Sequence, residues 1–317
     1  MNTKNTIFYH KNGIAIMHLA RDLITMQIGE RIPTITDYTE ILGVGRGTIQ
    51  NAISFLEETG SIHLEKQGQK GTFLQAIDHS ALWPHTGWGT LLGAMPLPTG
   101  PVLTSIDGTC VYAMRQSGFP FAASYTVSNH NRLNLLNEGT LSFVLTSKMG
   151  MDASMERYPN IETAVELSDC TYSSPVMLLH RPEIDDCIKD GMRLGISIRS
   201  SEQQYIANRL KEYADFRISE MTIMECNQAL TAGEIDCIIG RPEAFETRFP
   251  FSDSYPQGCV WQPITFLGCD RTSTIPVIAC NRNVYGMSKM IRRIMNQENM
   301  FKLQQDITTG KQKVDLF

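Results

Sequence analysis

Residues 42–60 read LGVGRGTIQNAISFLEETG. Gly43-Val44-Gly45 makes a tight turn. From Arg46 onward Ile49, Ala52, Ile53 and Leu56 recur at helical spacing, and Gly60 ends the run. Just upstream, Pro33 leads into a short helix whose apolar positions are Ile35, Tyr38, Ile41 and Leu42. Two short helices across a glycine-containing turn of about three residues form the helix-turn-helix pattern. Toward the N-terminus, Ile14, Met17, Leu19, Leu23 and Ile24 predict a helix over about residues 12–28, stopped near Gly29. Toward the C-terminus, Ile62-His63-Leu64-Glu65 and Thr72-Phe73-Leu74-Gln75 alternate like two strands, with residues 67–71 as the hairpin tip. The glycines at 43, 45 and 47 are no phosphate loop. They follow a helix rather than a strand and lack both the dinucleotide spacing and a Gly-Lys-Thr ending.

The whole chain has 317 residues, room for about two domains. Its net charge of −5 argues against a generally basic coat for nucleic acid or membrane surfaces. No apolar run approaches the ~18 residues of a membrane span, and the start, MNTKNTIFYHKNG, has no apolar leader core. Eight scattered cysteines without a Cys-x-x-Cys pair fit a reducing compartment. The expectation is a cytoplasmic protein with no membrane partner. Residues 79–88 contain Pro84 and Gly87 and form a linker between residues 1–78 and residues 89–317.

Four landmarks in the first block carry a family resemblance: Arg31-Ile32-Pro33-Thr34, Leu42 to Gln50, Leu56-Glu57-Glu58-Thr59-Gly60, and Lys70-Gly71-Thr72-Phe73. In order and spacing they resemble the GntR-type winged helix, whose pattern runs LPSER, VSRTTVR, L-x-x-x-G and G-x-G-T-F-V. The resemblance implies a DNA-binding domain whose second helix enters the major groove, with Arg46, Gly47, Thr48, Gln50 and Asn51 facing the bases and Lys70 on the wing. Gln50 and Asn51 suit bidentate reading of adenine. The sequence departs from the pattern in three places. Thr34-Ile35-Thr36 replaces Ser-Glu-Arg, Gly45 replaces the serine before Arg46, and Gln50 replaces an arginine. Seven Lys and Arg face eight Asp and Glu over residues 1–78. Duplex binding relies on neutralising phosphates, so the affinity per monomer should be modest. A winged helix turned into a protein-contact module is the alternative.

The second block alternates strand-like and helical stretches, which implies βα units and a largely parallel sheet. It also repeats itself. Leu92-Gly93-Ala94 answers Leu194-Gly195-Ile196, Phe121 to Val127 answers Phe216 to Thr222, and Leu135 to Leu145 answers Ala229 to Ile239. Two lobes follow, about 89–175 with 282–317 and about 181–275, joined near Pro175–His180 and Ile275–Asn281. The string Gly233-Glu234-Ile235-Asp236-x-Ile238-Ile239-Gly240 is similar to the effector domains of LysR-type regulators and to type 2 periplasmic binding proteins. Taken whole, the chain resembles the YhfZ type of bacterial regulator. The fold class is multidomain: an α+β winged helix-turn-helix followed by an α/β two-lobed domain.

In such sheets ligands bind beyond the carboxyl ends of the strands, beside helix N-termini that favour anions. The candidates there are Thr99, Gly100, Ser128, Asn129, Ser147 and Lys148 in the first lobe. The second lobe offers Arg199, Ser200, Ser201, Asn227 and Arg241. Arg199, Arg241 and Lys148 suit a carboxylate or phosphate, so a small anionic metabolite is the expected effector. Ser200 and Ser201 equally suit a helix cap. The stretch Met287–Thr309 is helical in spacing and expected to pack on the first lobe, or else to form a dimer face. No catalytic motif, cofactor loop or paired metal-ligand spacing occurs. The function expected is a homodimeric, DNA-binding transcription regulator, non-enzymatic and without a cofactor. An enzyme of binding-protein-like fold with a vestigial winged helix is the alternative, as is a pure interaction module.

Overall fold

The computed structural model describes residues 11–126, 128–242, 258–295 and 297–316. Helix α1 (Lys11–Leu23) buries Ala15, Leu19 and Leu23 and packs on α3 (Arg46–Glu58). It ends earlier than its apolar stripe suggests. The N–H groups of Thr25 and Met26 turn back onto Asp22 and Leu23, and the chain reverses at Gly29, φ +90°. Helix α2 (Ile35–Leu42) opens on a capping box: the Thr34 hydroxyl accepts from the Asp37 N–H, and the Asp37 carboxylate accepts from the Thr34 N–H. It closes on Gly43 in the left-handed region, which makes the turn into α3. Strands β1 (Ile62–Lys66) and β2 (Thr72–Ile77) pair antiparallel as the wing, Lys66 opposite Thr72.

The stretch after the wing is structured. Asp78 caps a short helix, α4 (His79–Leu82), and a 3-10 turn follows over Trp83–Thr86, with Leu82 and Trp83 buried. The first lobe contains β3 (Leu91–Pro96), α5 (Pro101–Gln116), β4 (Phe121–Thr126), α6 (Asn129–Asn137), β5 (Phe143–Ser147), α7 (Lys148–Asp152) and β6 (Ile161–Glu166). The second contains β7 (Met177–His180), β8 (Arg193–Ser197), α8 (Ser201–Leu210), β9 (Arg217–Met221), α9 (Ile223–Ala232), β10 (Cys237–Gly240) and β11 (Val260–Pro263), and α10 (Asp270–Thr274) leads back from it, packed on α7 and β5 of the first lobe. The chain returns through β12 (Pro276–Asn281), α11 (Met287–Ile294) and α12 (Gln297–Thr308).

The two sheets have one plan. The orders are β4-β3-β5-β12-β6 and β9-β8-β10-β7-β11, so each strand of one has a counterpart in the other. In both, the first three strands run parallel, the fourth runs against them, and the fifth pairs antiparallel with the fourth. The largely parallel sheet expected from the βα alternation is thus a mixed one. The reason is the crossovers: β7, arriving from the first lobe, joins the second sheet, and β12, returning, joins the first. Repeated glycines mark the repeat. A Cβ on Gly93 of β3 would lie 2.3 Å from the Phe143 ring, and one on Gly195 of β8 would lie 2.5 Å from Ile235. Both strands therefore carry glycine where a neighbour's side chain crosses them.

The winged helix and the first lobe share one hydrophobic core, running from Leu19, Ile49 and Leu56 through Trp83 to Leu91, Phe143 and Ile291. Polar contacts pin the junction. Tyr285 Oη donates to Asp22 Oδ1 at 2.7 Å, and Arg293 Nη1 donates to the carbonyls of Ile24 and Met26. Helix α12 lies along α5, where buried Gln304 donates to Ser105 Oγ and Thr171 O.

Candidate nucleic-acid and ligand sites

Helix α3 has two faces. Ile49, Ala52 and Leu56 are fully buried, whereas Arg46, Gly47, Gln50 and Asn51 are exposed and Thr48 is half-buried. The exposed residues lie along the helix's first two turns, the part of a recognition helix that reaches base edges. Exposed Ser54 continues this face by one more turn, a position that spacing from Gln50 and Asn51 would have given. Gly45 extends into α3 without a side-chain cap, so the first N–H groups of the helix have no side-chain acceptor there. Arg46 Nη1 donates to Thr36 Oγ1 at 3.0 Å, which holds the guanidinium beside α2. Lys70 is exposed in the wing's 3-10 turn, near exposed Lys66.

At the interlobe cleft the predicted serines are caps. Ser128, Ser147 and Ser200 accept from the N–H groups of Asn131, Gly150 and Gln203, opening α6, α7 and α8, and Ser201 is the first residue of α8. Gly100 is the extended residue ahead of α5, next to half-buried Thr99. Asn129 begins α6, its Oδ1 accepting from Arg132 Nη2. Asn227 is not at a strand end. Strand β9 stops at Met221 and Thr222 caps α9, which leaves Asn227 buried inside that helix with Oδ1 unbonded.

The three predicted cations are in different states. Arg241 is already paired, with Nη2 on Glu202 Oε1 at 2.5 Å and Nη1 on Ser173 Oγ and Ser174 O. Glu202 Oε1 also accepts from Ser147 Oγ at 3.0 Å, so one carboxylate ties α8 of the second lobe to α7 of the first. Lys148 pairs with Glu166 at 2.7 Å. Arg199 is exposed and makes no ion pair among the described residues. Arg199 and Arg157 both act on His130 of α6: burial, then these two charges, lower its pKa. Positive potential therefore gathers around the α6 N-terminus and the Arg199 loop, not at Arg241 or Lys148.

Behind this rim lies a pair that no sequence motif marks. Asp107 of α5 is fully buried, and neither carboxylate oxygen has a hydrogen-bond partner. Burial pushes its pKa up to about 8, with Arg132 offsetting only part of the effect, so the group is mostly neutral at pH 7. Arg132 is also buried, donating to Thr126 O at 2.8 Å with its Nε unbonded. A signal existed. Asp107 sits between Leu103, Cys110, Val111 and Met114 on the buried stripe of its helix, where a carboxyl is out of place. Among the described residues no group of His, Cys, Asp and Glu suits a metal, and no helix is long and apolar enough to cross a membrane.

Comparison with known proteins agrees with this layout. The profile of a helix-turn-helix domain matches residues 27–74, and that of the YhfZ C-terminal domain matches residues 78–314. The chain is 23% identical to the uncharacterized protein YhfZ of Escherichia coli (strain K12) over 316 residues, 96% of this chain and 98% of that one. The crystal structure of YhfZ from Shigella flexneri superimposes with a TM-score of 0.60 at 19% identity, covering 74% of this chain and 96% of that one. A periplasmic substrate-binding protein of an ABC transporter from Coxiella burnetii is a more distant neighbour. Its TM-score is 0.45 at 10% identity, covering 70% of this chain and 97% of the other. The profiles thus divide the chain into a helix-turn-helix head and a YhfZ C-terminal domain. With three quarters of its length in that second domain, the chain belongs to the YhfZ C-terminal domain family.

Proposed function

We propose that this protein is a cytoplasmic transcription regulator that binds an operator as a homodimer and senses a small anionic metabolite between its lobes. The supporting observation is the free face of α3: Arg46, Gly47, Gln50 and Asn51 stand exposed on a helix whose opposite side is locked into the core. On GntR-like contacts, Gln50 and Asn51 read base edges, while Arg46 and Lys70 hold phosphates. A two-fold dimer calls for half-sites about one helical turn apart. Residues 1–78 do the reading and residues 89–317 the sensing, with 79–88 as the join.

For the effector, Arg199 and the N-terminus of α6, which has no acidic residue in its first turn, offer positive potential, with Thr99 and Gly100 at the start of α5. Arg241 and Lys148 reach an anion only by giving up Glu202 and Glu166. This describes a sensor rather than an enzyme. The test is a gel-shift titration on the protein's own upstream region and on a genomic fragment library, from 50 to 200 mM salt. Binding should weaken steeply across that range. Absence of salt-dependent binding to every fragment refutes the DNA role. A thermal-shift screen of phosphorylated and carboxylated metabolites, repeated on Arg199→Ala, tests the effector half.

A further inference from the structure

A cavity of about 490 Å³ opens where the winged helix meets the first lobe, between α4, the C-terminal end of α5, α11 and the start of α12. That size falls within the ~300–1,000 Å³ of small-molecule sites. One wall is apolar, formed by Phe119, Ala113, Met300 and Leu303; Gln116 and Asn299 are amides on the lining. Arg293 is the one full charge on the described lining, and it makes no ion pair. Its Nη1 is spent on the Ile24 and Met26 carbonyls just after α1, and its Nη2 lies 3.2 Å from His79 Nε2. The Nε–H has no protein acceptor among the described residues. That edge, Nε with the remaining Nη2 hydrogen, is the one a carboxylate takes in two parallel bonds.

We propose that this cavity is a second ligand site, for a small organic monocarboxylate with an aromatic or branched apolar tail. The carboxylate pairs with Arg293 and the tail lies on Phe119 and Met300. The site is separate from the interlobe cleft and does not depend on it. It borders the mount of the winged helix directly. Arg293 holds the segment after α1, and from Phe119 an aromatic chain runs through Trp83, stacked at 4.5 Å, to Trp88 and on to Arg21 of α1. A bound carboxylate fixes the same guanidinium that holds the head, so occupancy stiffens the junction.

The probe is 1-naphthoate, titrated into the full-length protein by calorimetry and followed by thermal shift. Naphthalene-1-methanol tests the charge and acetate tests the tail. We expect saturable 1-naphthoate binding, a raised melting midpoint, and at least tenfold weaker binding of both controls. Arg293→Met should weaken 1-naphthoate at least tenfold. Since that variant also loosens the head, Ala113→Phe serves as a second test: it fills the cavity, keeps Arg293, and should abolish binding with the melt of the free protein little changed. No saturable binding to the wild type overturns the proposal. So does equal binding to wild type, Arg293→Met and Ala113→Phe. Loss of 1-naphthoate on Arg199→Ala, with binding kept by Arg293→Met, moves the probe to the interlobe cleft and also overturns it.

Discussion

Replacing Asp107 with Asn should change how the stability of the protein depends on pH. In the folded chain this carboxyl is fully buried without a hydrogen-bond partner, and its pKa is pushed from 3.8 to about 8. Above pH 4 the unfolded chain gives up the proton while the folded chain keeps it. Stability contributed by the neutral acid is therefore complete below pH 4 and falls as pH rises toward 8, at about 1.4 kcal/mol per unit. Between pH 5 and 7 that slope comes to about 3 kcal/mol. Asparagine has nearly the same shape and no proton to lose. The variant should match wild type below pH 4, lead by about 1.5 kcal/mol at pH 5 and lead by about 4 kcal/mol at pH 7. Urea unfolding followed by tryptophan emission reads this well, because Trp83 and Trp88 sit in the core shared by the winged helix and the first lobe. Comparing two proteins at each pH cancels the other titrating groups. Parallel stability profiles for wild type and variant would refute the reasoning, since the carboxyl would then be ionised in the folded state.

Gly93→Ala should cost about 1–3 kcal/mol, as its Cβ meets the buried Phe143 ring; thermal melts check this, and Gly195→Ala should behave alike in the second lobe. Thr36→Arg puts a cation beside Arg46 on the proposed phosphate side of α2. It should strengthen binding to duplex DNA and steepen the salt dependence by about one unit of slope in a log–log plot. Glu202→Gln breaks the charge-assisted bridge from Arg241 to Ser147. The lobes should part, seen as a larger radius of gyration in solution scattering, with a loss of about 1.5–3 kcal/mol and a stronger stabilising effect of added phosphate on the freed Arg241.

The parts of this fold that repeat or alternate could be read from the sequence. The two glycine-bounded helices, the wing strands and the offset between Gly93 and Gly195 are local patterns, and local patterns survive folding. The antiparallel crossovers could not be read so, because a short apolar run such as Val277 to Cys280 looks the same whether its neighbour runs parallel or antiparallel. For the candidate cleft residues the sequence shows residue type and place, and not the partner each side chain takes. Serines at strand ends were found, yet their hydroxyls are engaged as caps, since a cap and a ligand contact ask for the same residue in the same place. Arg241 and Lys148 were named as cations, but their pairing with Glu202 and Glu166 joins residues 39 and 18 positions apart, which no local pattern displays. Asp107 belongs to no motif and shows in the sequence only as the polar residue that interrupts the apolar stripe of α5.

The junction between head and lobe limits how any signal can travel. If the winged helix hung on a flexible connector, a ligand between the lobes would have little to push against. Instead α1 is buried against the first lobe, Asp22 accepts from Tyr285, and Arg293 holds the Ile24 and Met26 carbonyls, so head and first lobe are packed as one unit. The second lobe is attached by the two crossover connections and the Glu202 bridge to Ser147. Opening or closing the cleft therefore swings the second lobe relative to the head. In the proposed homodimer, such a swing would change the spacing between the two α3 helices without deforming either. The ligand can shift that spacing only by the difference in its affinity for the open and closed forms. Breaking the Glu202 bridge removes part of what holds the closed form. On this reasoning Glu202→Gln alters operator affinity without touching a residue of α3, and unchanged affinity together with unchanged solution scattering would leave the swing without support.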